Sequence, residues 1–166
     1  KFLVTCSAQG LYRWPIKVHE DATLRRLVIG PPEDLIVPLD GVPRRCALTS
    51  DGRFLTVTCE PAPNRTLVLD LKAQPSGVRF LGYGPGATSR DGKWTTTNAW
   101  QGQETKIWNA QNGKQISQIS GINAITAFAP ESDLLAIGRA DEFAFYETSD
   151  WNLVDRIPRD SGGGHQ

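Results

Sequence analysis

Four times along the chain a turn-rich stretch leads into an apolar strand and then into a strand with a large residue at its centre: Trp14, Leu69, Trp108 and Tyr146. The last three stand 39 and 38 residues apart, and a Pro/Gly-rich insertion stretches the first interval to 55. Self-similarity at a period of about 40 in an all-β pattern marks sheets stacked side by side around an axis. The fold class predicted is all-β, a β-propeller of four-stranded antiparallel blades.

The units can be read strand by strand. In the blade predicted over 45–82, Cys46 to Thr49 is a short inner strand, and Ser50-Asp51-Gly52 is a tight turn whose Asp-Gly pair supplies positive φ. Arg53 to Cys59, Arg65 to Leu71 and Val78 to Leu81 complete it. The blade over 86–120 repeats the order with Ala87-Thr88-Ser89, Arg90-Asp91-Gly92, Trp94 to Trp100, Thr105 to Asn109 and Lys114 to Ile119. The blade over 124–158 has Ile125 to Ala129, a turn at Pro130-Glu131-Ser132-Asp133, Leu134 to Gly138, Phe143 to Glu147 and Leu153 to Ile157. The first unit, 1–39, lacks an inner strand. It runs Phe2 to Cys6, Leu11 to Ile16, an insertion holding Gly30-Pro31-Pro32, and Leu35 to Leu39 as the fourth strand. About three and three-quarter blades are expected over 1–160, followed by a flexible Gly-rich tail at 161–166. A chain without methionine that opens on a strand reads as a piece of something longer. An unclosed ring leaves unpaired edges, so further blades or self-association are expected.

Composition narrows the partners. Eighteen basic and eighteen acidic residues cancel, and the longest basic clusters are the pairs Arg25-Arg26 and Arg44-Arg45, so the field that holds nucleic acid is missing. No apolar run approaches the ~20 residues of a membrane span. No signal peptide is visible, and a cytoplasmic location is expected. Cys6, Cys46 and Cys59 are odd in number, lack CxxC spacing, and read as small buried hydrophobes.

The residues that could carry catalytic chemistry occupy structural positions in the repeat or its connections. His19 lies in the stretched connection and His165 in the tail, neither on the rigid element a metal site or nucleophile–His pair requires. Gly82-Tyr83-Gly84-Pro85-Gly86 has no following Lys-Ser/Thr, and reads as a connection between blades. Asp51, Asp91 and Asp133 recur at one turn, which argues for turn chemistry over acid–base work. Asn64-Arg65-Thr66 matches a glycosylation sequon by pattern only. Trp94, Trp100, Tyr83 and Trp151 break the repeat and lie near turns, as contact aromatics do. No catalytic residue, metal site or cofactor is expected.

The segments Ala47 to Leu55 and Thr105 to Lys114 resemble a WD40 repeat, in which an SPDG-like turn precedes a strand and a Trp-Asp pair ends the third strand. The resemblance covers nearly the whole chain. The terminal pairs are Trp14-Pro15, Leu69-Asp70, Trp108-Asn109 and Tyr146-Glu147, so no Trp-Asp dipeptide occurs, and the family's Gly-His is missing too. In that family a His, a turn Asp, a Ser or Thr and the Trp form a network within the blade. Its partial loss implies blades that rely on apolar packing. The phrases Gly10 to Pro15 and Arg156 to Asp160 look like divergent repeats of large bacterial proteins, including some where repeats follow a Ser/Thr kinase domain. The kinase motifs themselves are absent from the sequence.

The resemblance implies a binding rim built from the loops joining second to third and fourth to first strands. Carried onto this sequence, it holds Asn64, Arg65, Trp100, Gln103, Arg139 and Asp141 from the former and Arg44, Arg45, Tyr83 and Asn123 from the latter. Mixed charge with a few aromatics suits a protein or peptide. The function expected is a non-enzymatic protein–protein interaction scaffold, with a regulatory or sensory repeat domain of a bacterial multidomain enzyme as the alternative.

Overall fold

The computed structural model describes residues 1–20, 24–37, 39, 41–61, 65–73, 77–98, 103–121 and 124–159. Their strands form four antiparallel sheets in chain order. The first contains β1 (Phe2–Ser7), β2 (Gly10–Glu20), β3 (Arg25–Ile29) and β4 (Glu33–Asp34). The second is the meander β5 (Val42–Leu48), β6 (Phe54–Glu60), β7 (Arg65–Asp70) and β8 (Gly77–Tyr83). The third has β9 (Trp94–Asn98), β10 (Glu104–Asn109) and β11 (Gln115–Ser120), and the fourth has β12 (Ile125–Phe128), β13 (Leu134–Gly138), β14 (Glu142–Glu147) and β15 (Leu153–Pro158).

The sheets stand face to face, and each junction owns one apolar cluster. Leu11, Leu55, Val57, Cys59, Leu67 and Leu69 fill the first, Phe54, Val68 and Leu81 with Trp108 the second, and Ile107, Ile119, Leu135, Ile137 and Tyr146 are the larger members of the third. Each central large residue points at the preceding sheet: Leu69 at the first, Trp108 at the second and Tyr146 at the third. Burial along the strands records the stacking. β6 is buried without a break from Phe54 to Cys59 because neighbours cover both faces, whereas β13 alternates, with only Leu135 and Ile137 buried. β1 alternates too. The end sheets are covered on one face, and among the described residues no apolar cluster joins the first sheet to the fourth.

The propeller expectation holds for the architecture and fails in four details. In the first sheet the fourth-strand position is taken by β4, while Leu35, Val37 and Leu39, expected on that strand, lie outside the strands and pack against the cluster of the first junction. The insertion is an arm: β2 outruns β1, pairing with β3 from Ile16↔Ile29 to Glu20↔Arg25. Pro31 and Pro32, which have no N–H to give, divide β3 from β4.

In the third sheet the inner strand shrinks to a single bridge, Thr88↔Thr95. Pro85 cannot donate, and the Ala87 amide bonds to the Thr96 hydroxyl at 3.1 Å, so at these two residues only the bonds given by the Asn98 and Thr96 amides remain. Asp133 is not equivalent to Asp51 and Asp91. The amides of Gly52, Gly92 and Ser132 bond to the carbonyls of Thr49, Ser89 and Ala129, so Glu131 takes the aspartate position and Ser132 the left-handed one at φ 65°.

The junctions are also more polar than expected. Thr56 of the second sheet bonds Thr88 of the third, and Thr96 of the third bonds Thr126 of the fourth at 2.7 Å. Part of the network that the resemblance implies is present as well, since Trp14 Nε1 donates to Thr5 at 2.9 Å and Trp108 Nε1 to Thr97 at 3.0 Å. The indole–hydroxyl half remains without the histidine.

Candidate interaction rim

The connections that would build the rim leave the ends of β6, β8, β9, β11 and β13, and one leads into β5. On the second sheet the register places Cys59, Arg65 and Tyr83 in one row across β6, β7 and β8. Arg44 and Arg45 follow on β5, where a slip between Pro43 and Arg45 leaves both exposed. Arg44 forms an ion pair with Glu60 at 2.9 Å, at the same edge as the Arg65 row. With both partners about half exposed, this pair contributes little to stability. Arg44, Arg45, Arg65 and Tyr83 are thus gathered on one sheet.

A further slip between Thr66 and Leu67 makes Leu81 the extra residue of β8. Leu81 turns into the core while Phe80 and Tyr83 stay 52% and 47% exposed, their rings edge to face at 5.3 Å. Beside them Trp108, Lys106 and Glu104 of β10 line a hollow of about 230 Å³ between the second and third sheets. Phe80, Lys106 and Glu104 were not legible as rim residues, because the bulge that exposes Phe80 leaves no mark in the alternation.

Arg139 behaves differently. It pairs with Glu142 at 2.7 Å, donates to the Ser120 carbonyl of the third sheet, and its side chain is only 15% exposed. Its role here is to fasten the fourth sheet to the third. Asp141 and Gln103 are exposed, and the Asp141 carbonyl receives the Arg159 amide. Trp94 and Trp151, expected as contact aromatics, instead pack edge to face at 5.3 Å, with Trp151 lying against the cluster of the third junction. Asn64, Trp100, Asn123, His165 and the 161–166 tail lie outside the described residues.

The three cysteines meet at the first junction. Burial first, and then contact with Cys6, push the Cys46 thiol up to about 12, while burial raises Cys59 as well. Such thiols stay protonated and poorly nucleophilic at neutral pH. His19 is exposed on the arm. Among the described residues no group of three or more His, Cys, Asp or Glu is placed to hold a metal, and no helix is long and apolar enough to cross a membrane.

No protein-family model matches this sequence, and no curated protein matches it. Solved structures do match in fold. Sqt1 of Chaetomium thermophilum, crystallised with the N-terminus of ribosomal protein L10 bound, is similar at TM-score 0.59 and 14% identity over 94% of this chain and 47% of its own. A eukaryotic initiation factor is similar at TM-score 0.60 and 13% identity over 96% and 42%. Hydrazine synthase of Kuenenia stuttgartiensis reaches TM-score 0.56 and 14% identity over 75% and 37%. The chain thus spans less than half the length of each of these structures. Sqt1 and the initiation factor are WD40 β-propellers, and this likeness, with the sheets, their order and their face-to-face stacking, makes the fold of this chain a β-propeller arrangement of antiparallel blades.

Proposed function

We propose that this chain is a non-enzymatic interaction scaffold whose rim on the second sheet binds a protein or peptide. The placement of Arg44 and Arg45 on β5, Arg65 on β7 and Tyr83 on β8 along one edge of the second sheet, with Tyr83 lining the hollow together with Phe80 and Trp108, is the observation that supports this most directly. Large aromatics around a recess give contact area at low entropic cost, and arginine suits the flanks of such a patch. The arrangement fits an extended segment that seats one apolar side chain in the hollow and turns carboxylates toward the arginines. Sqt1, of similar fold, offers a precedent for a peptide ligand in the ribosomal-protein N-terminus of its complex.

The test is selection from a displayed peptide library on the immobilised chain, followed by titration of the enriched peptides. Peptides carrying an apolar residue flanked by Asp or Glu are expected. The double variant Arg44→Glu, Tyr83→Ala should weaken them about 30-fold or more with an unchanged circular dichroism spectrum. Enriched peptides that bind the double variant as well as the parent would remove the rim from consideration.

A further inference from the structure

A hollow lies at each end of the second sheet's rim edge, and one row of residues joins the two. The register links Pro43 of β5, Cys59 of β6, Arg65 of β7 and Tyr83 of β8 directly. Tyr83 lines the hollow of the second junction. At the other end Pro43 lines a hollow of about 430 Å³ between the first and second sheets, with Tyr12, Asp34, Ile36, Val37 and Leu39 in its walls. Both open at the same end of the strands. Ala8 and Gln9, which join β1 to β2, border the first hollow, whereas Phe2 at the far end of β1 reaches the opposite turn at Gly52. Glu104, the first residue of β10, borders the second hollow. Each recess has an exposed apolar side chain in its wall, Ile36 at 93% in the first and Phe80 in the second.

Charge divides along the same line. Between the hollows the sheet edge carries Arg44, Arg45 and Arg65 against one carboxylate, Glu60. The centre is therefore positive. The other nearby carboxylates stand at the ends, Asp34 in the first hollow and Glu104, with Lys106, in the second.

The spacing follows from sheet geometry. Three strand spacings separate Pro43 from Tyr83, about 14 Å. The first hollow lies on the face toward the first sheet and the second on the face toward the third, so the line between them crosses the sheet edge obliquely. With packed sheets about 10 Å apart, half of that spacing on each side lengthens the line to roughly 17 Å. An extended backbone advances about 3.3 Å per residue and alternates its side chains, so two residues can both face the sheet at a separation of about four or six.

Resting on the rim reading, we propose that the partner is a single extended segment that crosses this edge with two apolar anchors, one in each hollow, and Asp or Glu between them. The anchors stand about four or six residues apart, and an acid two residues from an anchor shares its side and meets the arginines. Once one anchor is seated, the short spacer holds the other at high effective concentration.

Selection from a displayed peptide library on the immobilised chain reads the spacing, and titration of an enriched peptide against variants reads the anchors. Apolar residues four or six apart, with Asp or Glu at even positions between them, are expected. Ile36→Glu should weaken the peptide about 10-fold, and replacing one of its two apolar anchors by Gly should abolish that sensitivity. Circular dichroism checks folding, and Ile36→Ser replaces the glutamate variant if it unfolds. Weakening by Arg44→Glu with Tyr83→Ala but by neither substitution at Ile36 would overturn the two-anchor segment and leave the single-hollow rim standing. Binding that none of these variants weakens would remove both. Enriched peptides without a fixed apolar spacing, or an Ile36→Glu effect that survives replacement of each anchor in turn, would also overturn the two-anchor segment.

Discussion

Leu69 stands where the other units carry Trp or Tyr, and its truncation measures how the first junction is held. It is fully buried, paired with Leu55 and Val78 across its own sheet and packed in one cluster with Leu11 of the first. Leu69→Ala removes a side chain whose burial is worth about 1.5–3 kcal/mol, and every ~40 Å³ that fails to collapse adds about 1 kcal/mol. Strands on both sides and a second sheet in front leave little freedom to close the gap, so the expected loss is about 3–4 kcal/mol. Urea unfolding reads it as a lower midpoint at unchanged slope. In a heat scan the same loss lowers the midpoint by roughly 6–16 °C for a chain of this size. Ile36→Ala, at a residue 93% exposed, serves as the control and should stay within about 0.5 kcal/mol. A Leu69→Ala loss below about 1 kcal/mol at constant slope would refute face-to-face packing as the main support of these sheets.

Three further outcomes follow from the geometry. The Arg53 guanidinium beside Asp70 and the Thr49 hydroxyl on Asp51 hold both carboxyls below the usual aspartate range. Their stabilisation is complete above the unfolded value near ~3.9 and is lost as pH falls through the lower folded values, so the melting midpoint should be flat from neutral to about pH 4.5 and drop below it. Asp70→Asn should flatten that drop. Cys46, protonated and half-buried, should react with a disulfide reagent at neutral pH far more slowly in the folded chain than in urea, and equal rates would contradict its burial. Gly92→Ala places a Cβ at φ 74°, 3.2 Å from Thr49 and 3.3 Å from Phe54 of the neighbouring sheet, and should cost about 1–2 kcal/mol or more in urea unfolding.

The repeat was legible because its punctuation is chemical. Asp51-Gly52 and Asp91-Gly92 announce positive φ, and both glycines adopt it at 67° and 74°. The third turn misled, since Ser132 accepts the left-handed conformation without a glycine to mark it, and its hydroxyl receives the Asp91 amide at 3.2 Å. The arm was hidden for another reason. Among the described residues no sheet covers its alternation of Ile16, Val18, Leu27 and Ile29, so burial could not be inferred from pattern alone. Rim residues were the least legible. Arg139 and Arg44 are identical in a sequence, and only the neighbouring Glu142 and Ser120 carbonyl turn the first into an internal clamp. Trp94 and Trp151 likewise met each other across 57 positions, a contact no local signal contains.

The three equivalent turns touch one another: the Ser50 amide reaches the Arg90 carbonyl at 3.0 Å, and the Asp91 amide reaches Ser132. Every such link joins residues about 40 apart, so a newly formed unit can dock on its predecessor without waiting for the far end of the chain, and the loop entropy to be overcome is the same at each step. Amide exchange should mirror this order, slowest at Leu55 and Val68 in the doubly flanked second sheet and fastest along β15, where each residue is exposed.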